Sequence, residues 1–583
     1  MKLARSAPEC NAGALRHFRA AVRDRGGGHL ARTPWWNAVQ APSRGRSFRS
    51  GRLAFALLGT LMLVACRGPN PAADLVIING AEPETLDPAL MTGQADLRVG
   101  LAVFEGLTRF NPTNAAPTPG LAERWEVSPD GLTYTFHLRS HAVWSTGEPI
   151  TADDVVYSWR RVLHPATASE YAGLLFYVKN GEAFNTGAIQ DPAQVGAAAL
   201  DARTVRVELQ NPTPFFLDLC GTPTLAVVPR QTIERHGDRW LSARPVPASG
   251  AYCLEAWRVN DRIRLRKNPR YWDAANTRSE IVDLLPCVNA NTALNLYTSG
   301  AADVVWDKNL VPGELLDVLL RRPDFHSYPV LGTYFLRFNV TRAPFHDPRV
   351  RAAFALAVDK RRIVDKITRG GEQIASAYTP PGVPGYDAPV GLSLDPGRAR
   401  DLMAQAGFPG GRRFPACDYL CDTTSRLHEQ IAIELQAMWE RELGVRVTLR
   451  KMEWKTFLVA QRDLAYDLCR SSWIGDYNDP NTFLDMFMSH NGNNRTGWKC
   501  EPYDRLLREA NAQLDPARRL ALLREAETLL VREAAPIVPL YFYAGLEYYD
   551  ADRIHGIFAN VRAEHPLRAI WKSPPAGRPL AQP

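Results

Sequence analysis

No apolar run in this chain is long enough to cross a bilayer as a mature helix. The longest, Leu53–Ala65, has thirteen residues, against the roughly 20 needed to span the hydrocarbon core. Catalytic signatures are missing as well. There is no Gly-x-Ser-x-Gly elbow, no His-Glu-x-x-His pair and no phosphate-binding glycine loop, so enzyme activity is not expected. Cysteine is scarce, nine in 583 residues, with no Cys-x-x-Cys pair and no Cys/His cluster at zinc spacing. Neither a metal site nor a cofactor is expected. Charge excess is absent from most of the chain. Residues 1–66 hold eleven of the 69 Lys/Arg and two of the 62 acids, Glu9 and Asp24, which leaves 58 basic and 60 acidic residues behind them. The basic character belongs to the head, and nucleic-acid binding loses its compositional support.

The head reads as a targeting segment. Arg44, Arg46, Arg49 and Arg52 precede the apolar run, which ends in Leu63-Val64-Ala65-Cys66. Those four residues resemble a bacterial lipobox, and Cys66 is the expected lipidation site and mature N-terminus. Two acyl chains suffice for stable attachment, so a lipid-anchored protein of the periplasm or cell envelope is expected. Residues 1–43 carry no core pattern. Export implies an oxidising compartment. Seven cysteines remain beyond Cys10 and Cys66, an odd number, so at least one is free. Cys417 and Cys421 fall on one predicted strand, about 13 Å apart, too far to bridge.

Behind the head, strands and helices alternate. Trp125–Val127 and Leu132–Leu138 alternate around Ser128-Pro129-Asp130-Gly131 as a hairpin. Thr151-Ala152-Asp153-Asp154 then caps a helix bearing Val155, Val156 and Trp159. A helix is predicted over Leu97–Leu107, an amphipathic one over Arg349–Ile363, another over His428–Leu443 stopped by Gly444, and an aromatic strand over Pro539–Tyr543. Arg470–Phe483, RSSWIGDYNDPNTF, places Trp473 and Asp476 where a strand gives way to a loop. An aromatic ring followed three residues later by a carboxylate can hold an organic cation; equally, Asp476 can cap the turn and Trp473 can be core.

The hairpin, the Trp144-Ser145-Thr146-Gly147 turn and the helix TADDVVYSWRRV resemble the signature of the bacterial extracellular solute-binding proteins of the peptide/nickel class. Asn268-Pro269-Arg270-Tyr271-Trp272-Asp273, the Phe345–Asp359 block, Glu453-Trp454-Lys455-Thr456-Phe457 and the Arg470–Phe483 stretch follow in that family's order. The resemblance covers nearly the whole chain from about Leu75. It implies an α/β, two-lobed periplasmic binding-protein fold with a hinge and an extra small domain. Lobe I would comprise 74–105, 229–331 and 545–573, the additional domain 106–228 and the other lobe 332–544, with 574–583 a tail.

The resemblance also implies the site. An oligopeptide would lie between the lobes, its backbone running beside Thr92-Gly93-Gln94 on one side and Trp473-Ile474-Gly475 on the other. Asp476 would pair with its α-ammonium, Arg470 and His428 with its carboxyl end, and Tyr171, Trp454 and Tyr543 would line side-chain pockets. A carboxylate-binding arginine of the family falls at Gln461, with Arg462 beside it, and the disulfide of close relatives would need cysteines near Gly332 and Ile474, where none stands. The expected partners are an oligopeptide, the permease of an ABC importer with its ATPases, and the membrane through the anchor, with the protein itself monomeric. The alternatives inside the class are a dipeptide, murein peptide, nickel chelate or sugar as ligand.

Overall fold

A computed structural model describes residues 71–423 and 425–574. Cys66, the head around it and the tail beyond Pro574 lie outside these, as does Thr424.

The element that positions the site is an eleven-stranded mixed sheet. From one edge its order is Val447–Met452, Cys417–Asp422, Leu468–Ile474, Phe325–Phe338, Ile537–Tyr549, Val304–Val305, Leu75–Gly80, Ile281–Pro286, Arg262–Lys267 and Tyr252–Arg258, with Gln373–Ile374 attached to Ile537–Tyr549. Two central strands, of 14 and 13 residues, are more than twice the usual length of about six. They pair in two blocks, Phe325–Pro329 with Ala544–Tyr548 and Thr333–Arg337 with Ile537–Phe542, and the register breaks between Pro329 and Thr333. Pro329 has no N–H for the ladder. A Cβ on Gly332 would stand 2.5 Å from Ile474 Cδ1 and 3.0 Å from Tyr543 Cδ2, so glycine eases the approach of the strand Leu468–Ile474 to the break.

Each side of the break has its own core. One gathers Phe104, Trp240, Tyr252 and Leu265, the other Tyr334, Phe354, Tyr419 and Trp439. This is the two-lobed α/β layout. A third core belongs to the four-stranded antiparallel sheet Ala122–Val127, Thr133–Leu138, Thr204–Glu208, Ala197–Asp201 and the helix Ala152–Leu163. That helix starts where the sequence indicates. Thr151 N–H donates to Asp154 Oδ2 at 2.9 Å, and Asp154 N–H returns a bond to Thr151 Oγ1. Its fully buried Trp159 stands edge-on to Phe216 and donates to Leu225 O. Truncating Trp159 to alanine is expected to cost about 3–5 kcal/mol.

Several expected elements are drawn differently. The helix expected over Arg349–Ile363 is two, Pro348–Leu356 and Lys360–Ile363. Asp359 accepts from Arg362 N, and this second cap starts a new helix. The helix expected over Leu97–Leu107 is Gln94–Val103. The strand expected over Pro539–Tyr543 runs from Ile537 to Tyr549 because nearly all of it is buried, leaving no alternation to mark its ends. All seven cysteines of the described residues are free thiols.

Candidate ligand cleft

The strand Leu468–Ile474 delivers the candidate site to the break between the lobes. Beyond it, Gly475 N–H donates to Leu331 O at 2.8 Å and Asp476 N–H to Thr482 Oγ1 at 3.1 Å. A Cβ on Gly475 would meet Leu331 Cδ2 at 2.6 Å, so the loop can lie this close only without one. With both N–H groups turned inward, the Asp476 carboxylate faces a cavity of about 670 Å³ that Thr92, Gln94, Tyr171 and Trp473 also line. No described residue gives that carboxylate a hydrogen bond. Burial pushes its pKa up to about 6, with Arg562 pulling the other way. Tyr171 stands near enough to feel it: burial, and then the Asp476 charge, push the phenol up to about 12.

Tyr477, the next residue, fixes this loop against the core beneath the four-stranded sheet. Its ring stacks on Phe215 at 4.0 Å and its hydroxyl lies 3.0 Å from that of Tyr177. Asp479 accepts two bonds from the buried Arg519. A second cavity, about 460 Å³, adjoins the first and shares Thr92, Gln94, Ile474, Gly475 and Arg562 with it. Gly93 also lines this cavity, but its N–H goes to Asp96 Oδ2 and its carbonyl accepts from Leu97, because it caps the helix Gln94–Val103. Its N–H is therefore not offered to a ligand strand.

Arg470, His428, Trp454 and Tyr543 are not among the residues lining either cavity. Arg470 Nε donates to Asp422 Oδ2 at 2.5 Å, NH1 donates to Ser472 Oγ, and Tyr334, Trp454 and Phe457 surround the guanidinium at 5.5–5.8 Å. Neither Arg470 nor Asp422 is more than 7 % exposed. Arg470 is therefore already matched inside the fold. For His428, burial, followed by Arg470, holds the pKa down to about 4. Gln461 is buried and braces the chain by donating to Arg470 O at 2.9 Å. Arg462 does not take over, since it is exposed and pairs with Asp463.

Among the cations that line the cleft, Lys308 and Arg562 were passed over by the sequence reading. Lys308 Nζ sits 3.4 Å from the centre of the Tyr543 ring and forms no ion pair among the described residues; burial lowers its pKa to about 8. Arg562 lies 4.2 Å over Phe110, with Asp218 and Glu564 at 3.7 and 3.3 Å. Each is a lone residue in a polar stretch, with no motif to single it out. Tyr477 was legible by adjacency to Asp476.

The family model for the middle region of bacterial extracellular solute-binding proteins, family 5, matches residues 116–495. The chain belongs to that family. The periplasmic oligopeptide-binding protein OppA of Salmonella typhimurium is 38 % identical over 478 residues, 80 % of this chain and 87 % of the relative. The probable deoxycholate-binding periplasmic protein YgiS of Escherichia coli is 36 % identical over 474 residues, again 80 % and 87 %. Among solved structures, Haemophilus influenzae OppA in complex with RPPGFSPFR superposes with a TM-score of 0.72 at 29 % identity, covering 87 % of this chain and all of the other. As a family 5 protein, the chain has the binding-protein fold that its sheet order describes.

Proposed function

We propose that this protein captures oligopeptides between two lobes and delivers them to the permease of an ABC importer, tethered in the periplasm by a lipid on Cys66. Asp476 carries the reading. It is a half-buried carboxylate with no donor, at the wall of a cavity large enough for several residues, and an α-ammonium supplies both the charge and the hydrogen bonds it lacks. The names of the family 5 relatives support a peptide ligand but do not fix it, since YgiS is named for a bile acid at nearly the same identity as OppA. A bile acid is an anion without an ammonium group, and an uncompensated carboxylate repels it.

The register break supports lobes that divide near 331/332 and 544/545, with 106–228 as the additional domain. Closure follows from position. A ligand held by Asp476 ties the outer lobe to Tyr171 of the additional domain, while Tyr477 seats on Phe215. A ligand that touches both sides favours the closed state by its differential affinity, and that state is the one a permease can read. The test is calorimetry with tri- to pentapeptides and their N-acetylated forms. Binding is expected, with a loss of at least about 100-fold on acetylation; equal affinity for both forms removes Asp476 from the role. Inhibiting lipoprotein signal peptidase should leave a larger precursor, and an unchanged size removes the Cys66 anchor.

A further inference from the structure

Arg470, expected at the carboxyl end of the ligand, is matched by Asp422. Lys308 is not matched in this way. It opens the single helical turn Lys308–Leu310, which Asp307 starts by accepting from Asn309 N–H at 2.9 Å. The turn follows the short strand Val304–Val305, and its first side chain reaches Tyr543 on the neighbouring central strand. Tyr543 falls in the gap between the two paired blocks of that strand, where the register breaks. The ammonium stands 3.4 Å from the ring centre. A ring face attracts a cation from one side but offers no oxygen to its three N–H donors. Lys308 is part-buried, lines the second cavity and donates to no oxygen among the described residues. The other two cations of that cavity are engaged. Arg98 donates to the carbonyls of Asn79 and Trp306 at 3.1 and 3.2 Å, and Arg562 has Asp218 and Glu564 beside it. Most carboxylates of the cavity are engaged too. Glu82 accepts from Trp257 Nε1, Asp96 from the N–H groups of Gly93 and Glu84, and Glu547 from Tyr328 Oη. A part-buried ammonium without an oxygen partner gains from an anion that brings one.

We infer that Lys308 receives a carboxylate of the ligand, the α-carboxylate of a short peptide or an acidic side chain, as the counterpart of Asp476 further along the bound chain. The inference rests on the peptide-capture reading and adds to it the residue that reads the far end. The cavities share Thr92, Gln94, Ile474 and Gly475, so a chain held at Asp476 extends into the cavity that Lys308 lines. Tyr543 acts as a positioning residue: its ring face holds the ammonium and leaves the N–H donors to the ligand. Burial lowers the pKa of Lys308 to about 8, with Glu372 and then Asp307 pulling the other way, so the ammonium form is present at neutral pH.

The test is calorimetry on the whole mature protein with tri-, tetra- and penta-alanine. Each is taken as the free acid, as the C-terminal amide, and as the amide with glutamate in the last position. Amidation keeps the chain length and removes the charge. At one length a carboxylate form should bind at least about tenfold more tightly than the plain amide. A gain for the free acid identifies the α-carboxylate as the source, and a gain for the glutamate amide identifies the side chain. In Lys308→Met that ratio should fall to within about twofold while the plain amide keeps its affinity, and in Lys308→Arg the ratio should persist. A ratio near one for both carboxylate forms at every length in the wild-type protein overturns the inference without any variant. An undiminished ratio in Lys308→Met overturns it as well. The plain amides separate the two levels: if they bind and no carboxylate adds affinity, only the role of Lys308 fails; if no form binds at any length, the capture reading fails and takes that role with it.

Discussion

Asp476 and Arg470 lie six residues apart, on and just beyond the same strand, and their charges meet opposite fates. Arg470 is enclosed by rings and neutralised by Asp422 at 2.5 Å. Asp476 faces a cavity with no donor, and burial raises its pKa to about 6. Both are charges withdrawn from water, which is unfavourable for either. One is compensated inside the fold, and the other awaits compensation from outside. A cation in a binding protein's sequence is thus not yet a ligand contact; what matters is whether the fold has already matched it.

The largest expected effect breaks the internally matched pair. Arg470→Ala should lower the unfolding free energy by about 3–5 kcal/mol, read by urea denaturation, because it removes one partner of a buried ion pair. Arg470→Met with Asp422→Leu should recover most of that. A loss below about 1 kcal/mol would show that the pair is not structural. Asp476→Asn should do the reverse, reducing affinity for peptides with a free amino end by about 100-fold while leaving thermal stability level or higher. Calorimetry and a melting curve on one sample separate the two behaviours.

The third expectation concerns pH. The raised pKa of Asp476 means that its ionised form is disfavoured in the empty cleft, and an ammonium ligand needs that form. Affinity should therefore be level above about pH 6 and fall by up to about tenfold per unit below it, with a proton released on binding in the acid range. Asp476→Asn should flatten the profile, and an unaltered profile in that variant would assign the titration to another group. The smallest effect is predicted for His428→Gln. An imidazole whose pKa is held near 4 is neutral at pH 7, so affinity should change by less than about twofold. A larger loss that tracks peptide length would return His428 to the carboxyl end of the ligand.

Local signals carried well where the interactions are local. The Thr151 capping box and the stop at Gly444 follow from residues within one turn of each other, as does the hairpin around Ser128–Gly131. The helix over Arg349–Ile363 was misjudged because Asp359 offered a second cap inside a continuous apolar pattern. Of the candidate site, the place of Asp476 at the end of a strand was legible, since a strand-to-loop position with an aromatic neighbour is a local pattern. The surroundings of Arg470 and Lys308 were not, because they depend on partners far along the chain. Asp422 lies 48 residues from Arg470, and Tyr543, beside Lys308, comes from another strand. Periodicity does not reveal such matches.

The sequence by itself determined most of the elements, their order and the family, and it singled out Asp476 as a candidate, because each is written in short spacings and in a motif order that survives without coordinates. Only the tertiary structure decided which charges are free. Sheet pairing brings Asp422 to Arg470 and leaves Asp476 without a donor at a cavity wall. A charge acts on a ligand through what the fold has not neutralised, and that balance exists only once distant strands have met.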